Sequence, residues 1–275
     1  MLAGIAFIGS LFAASVCAAQ APTPEILHYK FNQPGTTVTN HASSPPPGTA
    51  SATLQGGMTQ GGSIAGTFLS AVVGSGNSSS TDYVDTGWTT NLSGSWSISF
   101  FSSDMSPSAT VNYVLGDQTA GTFRMFTNGV AGPNNWILRG PFADITLNGG
   151  AAAGATMNTF VYDSAANEIR AYLNGVLVNT ILQAPGLTIS GVGPFKVSGY
   201  GPNVGLNAGG KVGDFRIYSH ALTPAEITAI HNAAFVPAPP PVPPVPTLSE
   251  WAFMLLGLLM AAFGALWMQR RQLQA

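Results

Sequence analysis

Charged side chains are scarce in this sequence. Only 7% of its 275 residues are Asp, Glu, Lys or Arg, with 9 basic against 11 acidic side chains. A nucleic-acid-binding protein needs a basic surface that neutralises phosphates, so this composition excludes that class. Hydrophobic residues make up 45% of the chain, too many for a disordered polyelectrolyte. The composition therefore predicts a folded protein that does not bind nucleic acid.

Cysteine is almost absent. The single one, Cys17, lies in an apolar N-terminal run from Leu2 to Ala19, and an Ala-Gln-Ala triplet ends at Ala21. Small residues before a cleavage point are typical of a secretory signal peptide, so we expect one over residues 1–21, cleaved after Ala21. An uncleaved N-terminal anchor is the alternative. Cleavage removes Cys17, so the exported chain forms no disulfide and its fold depends on burial alone.

The C-terminal end carries a second long stretch without charge. Residues 236–246 include seven prolines in eleven positions, which predicts an extended linker. Residues 251–268 follow with no charged side chain and would form a helix about 27 Å long, close to the thickness of a bilayer core. Arg270 and Arg271 then place the end of this helix in the cytoplasm. The pattern predicts one transmembrane helix, with the preceding domain outside the inner membrane.

The segment around this helix resembles a known sorting signal. The motif is Val245, Pro246, Thr247, Leu248, Ser249, Glu250 and Trp251, followed by the apolar span and the pair Arg270 and Arg271. It is similar to the IPTL-CTERM signal, a relative of the PEP-CTERM tails of Gram-negative bacteria, over residues 245–272. The resemblance implies recognition by an exosortase-like membrane peptidase, removal of the helix, and delivery to the outer surface or the extracellular matrix. A permanent membrane anchor is the alternative.

Between these two ends, residues 25–235 show short alternating runs. In Ser95–Phe100, apolar residues alternate with serines, which predicts a strand with one buried and one solvated face. The pair Asn174 and Gly175 lies between two apolar runs and predicts a β-hairpin with a type I′ turn. Similar strand signals occur at residues 26–31, 110–115, 122–127, 144–147, 159–162 and 195–198.

One helix is predicted, near the end of this region. It runs from Thr223 to Ala233, with Pro224 at the first helical position and Glu226 placed to complete a capping box with Thr223. Many short strands with glycine-rich turns and one terminal helix predict an all-β fold, a two-sheet antiparallel sandwich. We expect residues 25–235 to form a single domain.

Three segments resemble the concanavalin A-like, laminin-G-like jelly rolls. They are the opening run Ile26–Phe31, the pair of runs Ala171–Val178, and above all Lys211–Ile227, which is similar to that family's closing strand and helix. The resemblance implies a jelly roll of two curved sheets. It also implies a family whose members mostly bind glycans or proteins and do not catalyse reactions.

Many laminin-G-like domains hold a calcium ion on the sheet edge, so the resemblance raises that possibility here. The corresponding positions are Asn40, where an amide replaces the usual carboxylate, and Asp214, whose preceding acidic neighbour is replaced by Gly213. Calcium needs several oxygen ligands with enough negative charge. We therefore expect Asn40 and Asp214 to form at most a weakened calcium site.

Ligand contacts in such a domain would come from exposed aromatic side chains on loops. Trp88, Trp136 and Tyr200 lie beside Gly, Asn and Thr residues, which predicts that they belong to loops. Their rings could then stack on sugars. A core position is the alternative, above all for Trp136, which begins an apolar run.

Catalysis by paired carboxylates has little support. A glycosidase needs two carboxyl groups across the scissile bond, and Asp82 and Asp85, three residues apart, face opposite sides of a strand. We therefore predict no enzyme. An unusual or degenerate glycan hydrolase, using Asp82, Asp85 or Glu168, is the alternative.

These observations together predict an exported, surface-sorted, non-catalytic binding or adhesion module. Its expected partners are glycans or a polymer of the extracellular matrix, and the low charge favours a neutral one. A structural matrix protein without a specific ligand is the third hypothesis.

Overall fold

A computed structural model describes residues 20–76, 81–106, 111–118, 123–129, 132–202, 205–237 and 248–272 of the protein. Most of the predicted signal peptide, with Cys17, lies outside the described residues, as do positions 238–247 of the linker and sorting motif. The chain divides into two compact units, Met1–Pro237 and Ala238–Ala275. The predicted cleavage after Ala21 and the predicted limits of the domains therefore stay predictions.

The first unit is built from strands. Within the described residues there are sixteen, and in chain order they are β1 (Leu27–Tyr29), β2 (Thr37–Thr39), β3 (Ser51–Leu54), β4 (Thr59–Ser63), β5 (Ser70–Val73), β6 (Val84–Ser93), β7 (Trp96–Ser103), β8 (Tyr113–Gly116), β9 (Arg124–Asn128), β10 (Gly132–Gly140), β11 (Phe142–Leu147), β12 (Thr156–Asp163), β13 (Glu168–Leu173), β14 (Val176–Leu182), β15 (Thr188–Val197) and β16 (Lys211–Tyr218).

The strands pair in two antiparallel sheets of eight. Sheet 1 has the order β14-β13-β12-β7-β16-β5-β4, and β1 also pairs with β16. Sheet 2 has the order β11-β10-β9-β8-β15-β6-β3-β2. The predicted all-β sandwich, a jelly roll with one short helix after its last strand, is confirmed.

Aromatic side chains fill the space between the two sheets. Ring contacts connect Phe195, Phe215, Phe100 and Trp136, with centroid distances of 6.4, 6.2 and 6.1 Å from one ring to the next. Aromatic pairs at such distances stabilise beyond the area they bury. Because the described residues of this unit hold no cysteine, this core takes the place of disulfide cross-links.

A second, smaller core lies between sheet 1 and helix α1 (Pro224–Ala233). Ile227 and Ile230 of the helix pack against Phe101, Val161 and Tyr172 on the outer face of the sheet. The helix begins as predicted: Thr223 is its N-cap and forms a capping box with Glu226.

The serines of β7 are not solvated, so that part of the sequence prediction is wrong. The strand is buried on both faces because the segment that leads into α1 covers its outer side. Ser97 donates a hydrogen bond from Oγ to the carbonyl oxygen of His220 (2.8 Å) and accepts one from the amide of Leu222 (2.9 Å). Ser99 shares a hydrogen bond with Thr159 (3.0 Å). These bonds satisfy hydroxyl groups that burial would otherwise leave unpaired.

The second unit contains helix α2 (Leu248–Gln272), 25 residues long. Its segment Trp251–Gln272 is long and apolar enough to cross a membrane, and none of its apolar window is buried. Arg270 and Arg271 lie in its last turn, where positive charges also interact favourably with the helix dipole. The predicted apolar helix is present and extends past residue 268.

Candidate functional site

The outer face of sheet 2 is the sandwich surface that no helix of the described first unit covers. Met125 of β9 and Phe123, which precedes the strand, are buried in the core, so strand alternation turns Arg124 and Phe126 outwards. The strand register places Arg124 opposite Arg139 of β10 on one side and Gly116 of β8 on the other. Two arginines therefore stand side by side on this surface, and we call them the arginine pair.

Aromatic rings lie beneath the arginine pair. The Arg124 guanidinium is 5.6 Å from the ring centre of Phe126 and 5.1 Å from that of Tyr200, and the Arg139 guanidinium is 5.0 Å from that of Phe126. Tyr113 stacks on Tyr200 at 5.0 Å and tilts against Phe126 at 5.8 Å. We call Phe126, Tyr113 and Tyr200 the aromatic floor. Cations over aromatic faces at these distances are attracted by the ring electrons.

A glycine makes room for the floor. A Cβ atom at Gly116 would lie 2.5 Å from the Tyr200 ring, so only glycine lets this ring cross over β8. The half-buried Tyr113 is the ring of the floor that is most open to a ligand, because Tyr200 and Phe126 lie beneath the arginine pair.

A carboxylate fixes one end of the arginine pair. Asp144 of β11 accepts a hydrogen bond from Nε of Arg139 (2.7 Å) and another from its Nη2. Both side chains are about 40% exposed, so the ion pair lies at the surface. The side-chain hydrogen bond to Asp144 raises the pKa of Arg139. The arrangement fixes the direction of the Arg139 guanidinium.

A buried lysine lies across β8 from Arg124, since both are paired with Gly116 in the strand register. Lys196 of β15 donates a hydrogen bond to the carbonyl oxygen of Gly201 (2.7 Å) and lies 3.9 Å above the ring centre of Tyr83. Asp85 of β6 stands opposite it in the register. Burial lowers the pKa of Lys196, against the opposing charge of Asp85. Its contacts suit a structural role.

The carboxylates of this face do not form a hydrolytic pair. Asp144 and Asp85 stand on β11 and β6, five strands apart, about 24 Å at the usual strand spacing. Glycosidases place their two carboxyl groups about 5–9.5 Å apart. Glu168 belongs to sheet 1, and Asp82 is buried and accepts a hydrogen bond from the amide of Gly57 (3.0 Å). The structure does not bring Asp82, Asp85 and Glu168 together.

Two of the three aromatic residues predicted as ligand contacts lie in the core, so their prediction as exposed loop residues is wrong. Trp136 is 0% exposed and Trp88 is 5% exposed, packed edge-on against Phe195 at 5.4 Å. They belong to β10 and β6, where alternation turns them inwards. Tyr200 is in a loop as predicted, but it is only 3% exposed because Arg124 covers it.

The side chain of Asn40 connects three parts of the chain through hydrogen bonds. Its Oδ1 accepts hydrogen bonds from the amides of His28 (2.8 Å) and Ala42 (3.1 Å). Its Nδ2 donates to the carbonyl oxygens of Ile26 and Thr49, both at 3.0 Å.

The carboxylate of Asp214 is also engaged by side chains of the protein. Its carboxylate accepts hydrogen bonds from Nε2 of His28 (2.9 Å) and Nε of Arg216 (3.0 Å). Burial alone would raise the pKa of Asp214, but the charge of Arg216 and the hydrogen bond from His28 outweigh it, so the pKa lies well below its usual range. A Cβ at Gly213 would lie 2.6 Å from the carbonyl oxygen of Ser70, which explains the missing second acid.

Asn40 and Asp214 are therefore held by hydrogen bonds and charges within the protein, and the weakened calcium site at these two residues stays a prediction. No group of three or more His, Cys, Asp or Glu side chains that could hold a metal occurs in the part of the chain that the structure describes. The Arg216 guanidinium supplies the positive charge that a calcium ion would bring.

The sequence of the first unit matches a known family. The sequence model of the concanavalin A-like lectin/glucanases superfamily matches residues 75–228, more than half of the chain. The chain belongs to this superfamily. The IPTL-CTERM motif also matches, over residues 243–271, so both predicted resemblances, to the superfamily and to the sorting signal, are confirmed. No curated protein matches the sequence.

Solved structures share the superfamily fold at low identity. Domain 4 of AbnA, an extracellular arabinanase from Geobacillus stearothermophilus solved with arabinotriose, is 16% identical, with a TM-score of 0.53 and coverage of 77% of this chain and 98% of that domain. The ligand binding domain of botulinum neurotoxin serotype D, solved with N-acetylneuraminic acid, is 14% identical, with a TM-score of 0.53 and coverage of 76% and 50%.

The binding domain of Paraclostridial Mosquitocidal Protein 1 is similar to the same extent. It is 14% identical, with a TM-score of 0.53 and coverage of 71% of this chain and 49% of that domain. The chain thus spans about half the length of this domain and of the neurotoxin domain. At such identities the likeness shows the fold.

Proposed function

We propose that the protein is an exported, non-catalytic glycan-binding module that uses the outer face of sheet 2. The observation that carries the proposal is the combination on that face of an aromatic floor with polar, charged side chains at its rim. Sugar sites need such a combination, since rings pack against the apolar faces of a sugar and charged groups bond its oxygens. Two structural neighbours, the arabinanase domain and the neurotoxin domain, were solved with a sugar bound, which supports it.

The route to the surface is the second half of the proposal. A signal peptide over residues 1–21 would export the chain, and α2 would hold it in the inner membrane. An exosortase-like peptidase would then remove the helix at the IPTL-CTERM motif, of which Val245, Pro246 and Thr247 lie outside the described residues. Delivery to the outer surface or matrix would place the binding face next to the cell's own polysaccharide.

Affinity electrophoresis of the full-length protein in mild detergent tests the binding. We expect gels that contain surface polysaccharide extracted from the producing cells to retard the protein. Tyr113→Ala removes the half-buried ring of the floor and should weaken retardation about fivefold, as expected for a loss of about 1 kcal/mol. Phe68→Ala, which removes an exposed ring between β4 and β5 of sheet 1, is the matched control and should have no effect.

The same samples distinguish the other hypotheses. Release of reducing ends from the polysaccharide would support a hydrolase and contradict the proposal. Equal mobility with and without every host polysaccharide would favour a structural matrix protein.

A further inference from the structure

Exposed apolar side chains of the first unit are concentrated on the side of sheet 1. Among the residues that the structure describes, a single large one, Val192, belongs to sheet 2. The others lie on β14, on the turn between β4 and β5, and directly after α1, which packs on sheet 1. We call five of them the apolar strip: Phe68, Leu177, Val178, Phe235 and Val236. Groups of exposed apolar side chains mark surfaces that contact a protein or a membrane.

Helix α1 connects the two ends of the apolar strip. Leu177 stands opposite Tyr172 in the strand register, and Tyr172 packs with the helix on the outer side of sheet 1. The turn before Leu177 also reaches the helix, since a Cβ atom at Gly175 would lie 4.0 Å from that of His231. The ring of His231 lies 5.0 Å from that of Phe235. The strip therefore continues from β14 along the end of α1.

The apolar strip and its surroundings carry little charge. The amide of Phe68 donates a hydrogen bond to the carbonyl oxygen of Ala234 (2.9 Å), which places Phe68 beside Phe235. The sequence has no Asp, Glu, Lys or Arg in β14, and none from Ile227 to Ser249. Removing water from a charged group costs far more free energy than removing it from an apolar one. The strip can thus enter an apolar environment without burying a charge.

The size of the apolar strip favours a tethered partner. Five side chains that are each about half exposed offer roughly 500 Å², taking roughly 200 Å² for a whole one. A stable complex between separate proteins buries about 800 Å² on each partner. A tether lowers this requirement, because it makes docking intramolecular and gives a high effective concentration. The strip ends at Val236, and ten residues, 238–247, connect the first unit to α2. Ten residues span at most about 36 Å.

We propose that the apolar strip binds the lipid surface of the membrane that holds α2, before this helix is removed. Its side chains enter the boundary between head groups and acyl chains, where apolar side chains are stabilised. Sheet 2 is the other layer of the sandwich, so docking through sheet 1 leaves the outer face of sheet 2 in solution. The inference rests on the anchoring step of the proposed function and does not depend on glycan binding.

Two fluorescent probes test the docking on the full-length protein, reconstituted through α2 into phosphatidylcholine vesicles. In a Cys17→Ser background, a polarity-sensitive dye is attached to Phe68→Cys or to Val192→Cys. These positions are matched, since their side chains are 63% and 64% exposed. Nitroxides on the lipid acyl chains should quench the dye at position 68 about twofold or more strongly than the dye at position 192, because interfacial side chains enter the boundary region. Added salt should not weaken this quenching, since no charge takes part.

Charged substitutions connect the quenching to the apolar strip. Phe235→Asp, with the dye at position 68, should lower the quenching to the level seen at position 192, because docking would then bury a carboxylate. Leu177→Asp makes the same change on β14 and should have the same effect. Val192→Asp is the matched control on sheet 2 and should leave the quenching unchanged. Unfolding midpoints of all variants confirm that each is folded.

The outcomes separate the inference from the proposed function. Equal quenching at the two positions, or equal effects of Phe235→Asp and Val192→Asp, overturns the inference. A blue shift of the dye at position 68 that needs no lipid and increases with protein concentration identifies a second copy as the occupant, and also overturns it. Retardation in polysaccharide gels would still support glycan binding in these cases. Failure of the chain to float with the vesicles contradicts the anchoring by α2, and the inference with it.

Discussion

At the scale of single residues, Asp214 shows how this chain stabilises a buried charge. It has a left-handed backbone conformation (φ 47°), which aspartate tolerates better than most residues, at an irregularity in β16. This conformation turns its carboxylate towards His28 and Arg216, which are themselves buried. The Arg216 guanidinium also reaches the hydroxyl of Tyr218 (3.3 Å), whose pKa burial raises to about 12. The charges thus satisfy one another inside the protein.

Asp214→Asn tests this network. Asparagine keeps the shape and tolerates the positive φ, so the main loss is the charge opposite the buried Arg216. Removing one partner of a buried ion pair costs about 3–5 kcal/mol of unfolding free energy. Asp163→Asn breaks the more exposed pair with Arg170 and should cost less than about 1 kcal/mol. Urea unfolding followed by tryptophan fluorescence measures the loss of unfolding free energy in both variants. Equal losses would contradict the assignment of Asp214 to a buried ion pair.

The loss of unfolding free energy caused by Asp214→Asn should depend on pH, because the pKa of Asp214 is lowered in the folded state. Only the folded state keeps this carboxyl ionised below about pH 3.9, the ordinary pKa of aspartate. Its contribution is therefore complete at neutral pH and decreases as the pH falls below that value. The difference in unfolding free energy between the wild type and Asp214→Asn should shrink in that range.

The individual residues of the candidate site explain why it was only partly predictable from the sequence. The strand over residues 122–127 is predicted, and its alternation could have shown that Arg124 and Phe126 point outwards. What the sequence does not reveal is their neighbour Arg139, since cross-strand pairs depend on register. Trp88 and Trp136 were misplaced because Gly, Asn and Thr beside them are typical of loops, whereas here they belong to irregular strands.

At the scale of elements, the predictions succeed where local chemistry decides the structure. The turn at Asn174 and Gly175 has the expected positive φ values, 50° and 86°, and separates β13 from β14. Strands β2 to β5 escape prediction because each is only three to five residues long. β4 is also polar, with the sequence Thr-Gln-Gly-Gly-Ser. Pairing forms them: β2 pairs with β3 and β4 with β5, while β3 and β5 join these pairs to the distant strands β6 and β16, and no local sequence pattern indicates those distant pairs.

Helix α1 offers a test at this scale. Thr223 accepts a hydrogen bond from the amide of Glu226 (3.3 Å), and Glu226 accepts one from the amide of Thr223 (2.8 Å). Thr223→Ala removes the first bond and should lower the unfolding free energy by about 1 kcal/mol. Thr228→Ala on the same helix is the control: it is an interior position where alanine favours the helix, so no loss is expected. A similar loss at both positions would mean that the cap is not the cause.

At the scale of the whole molecule, the two units differ in the polarity of their surfaces. The first unit buries its apolar side chains in two cores, whereas the described part of α2 exposes Leu, Met, Phe and Trp along its length. Segment Trp251–Gln272 is about 33 Å long as a helix and matches the bilayer core. Outside a membrane such a helix would expose a large apolar surface to water, so we expect a protein released at the cell surface to have lost it.

The intact mass of the protein extracted from the surface of producing cells tests this sorting. We expect a chain that begins at Pro22 and ends before α2, near the start of the IPTL-CTERM motif. Replacing both Arg270 and Arg271 with Gln removes the cytoplasmic charge that orients the helix, and should leave an uncleaved chain in the membrane fraction. Replacing Arg170 with Gln changes an arginine outside the tail and should leave processing intact. A surface protein whose mass still includes Ala275 would identify α2 as a permanent anchor, and an N-terminus before Pro22 would contradict the predicted cleavage after Ala21.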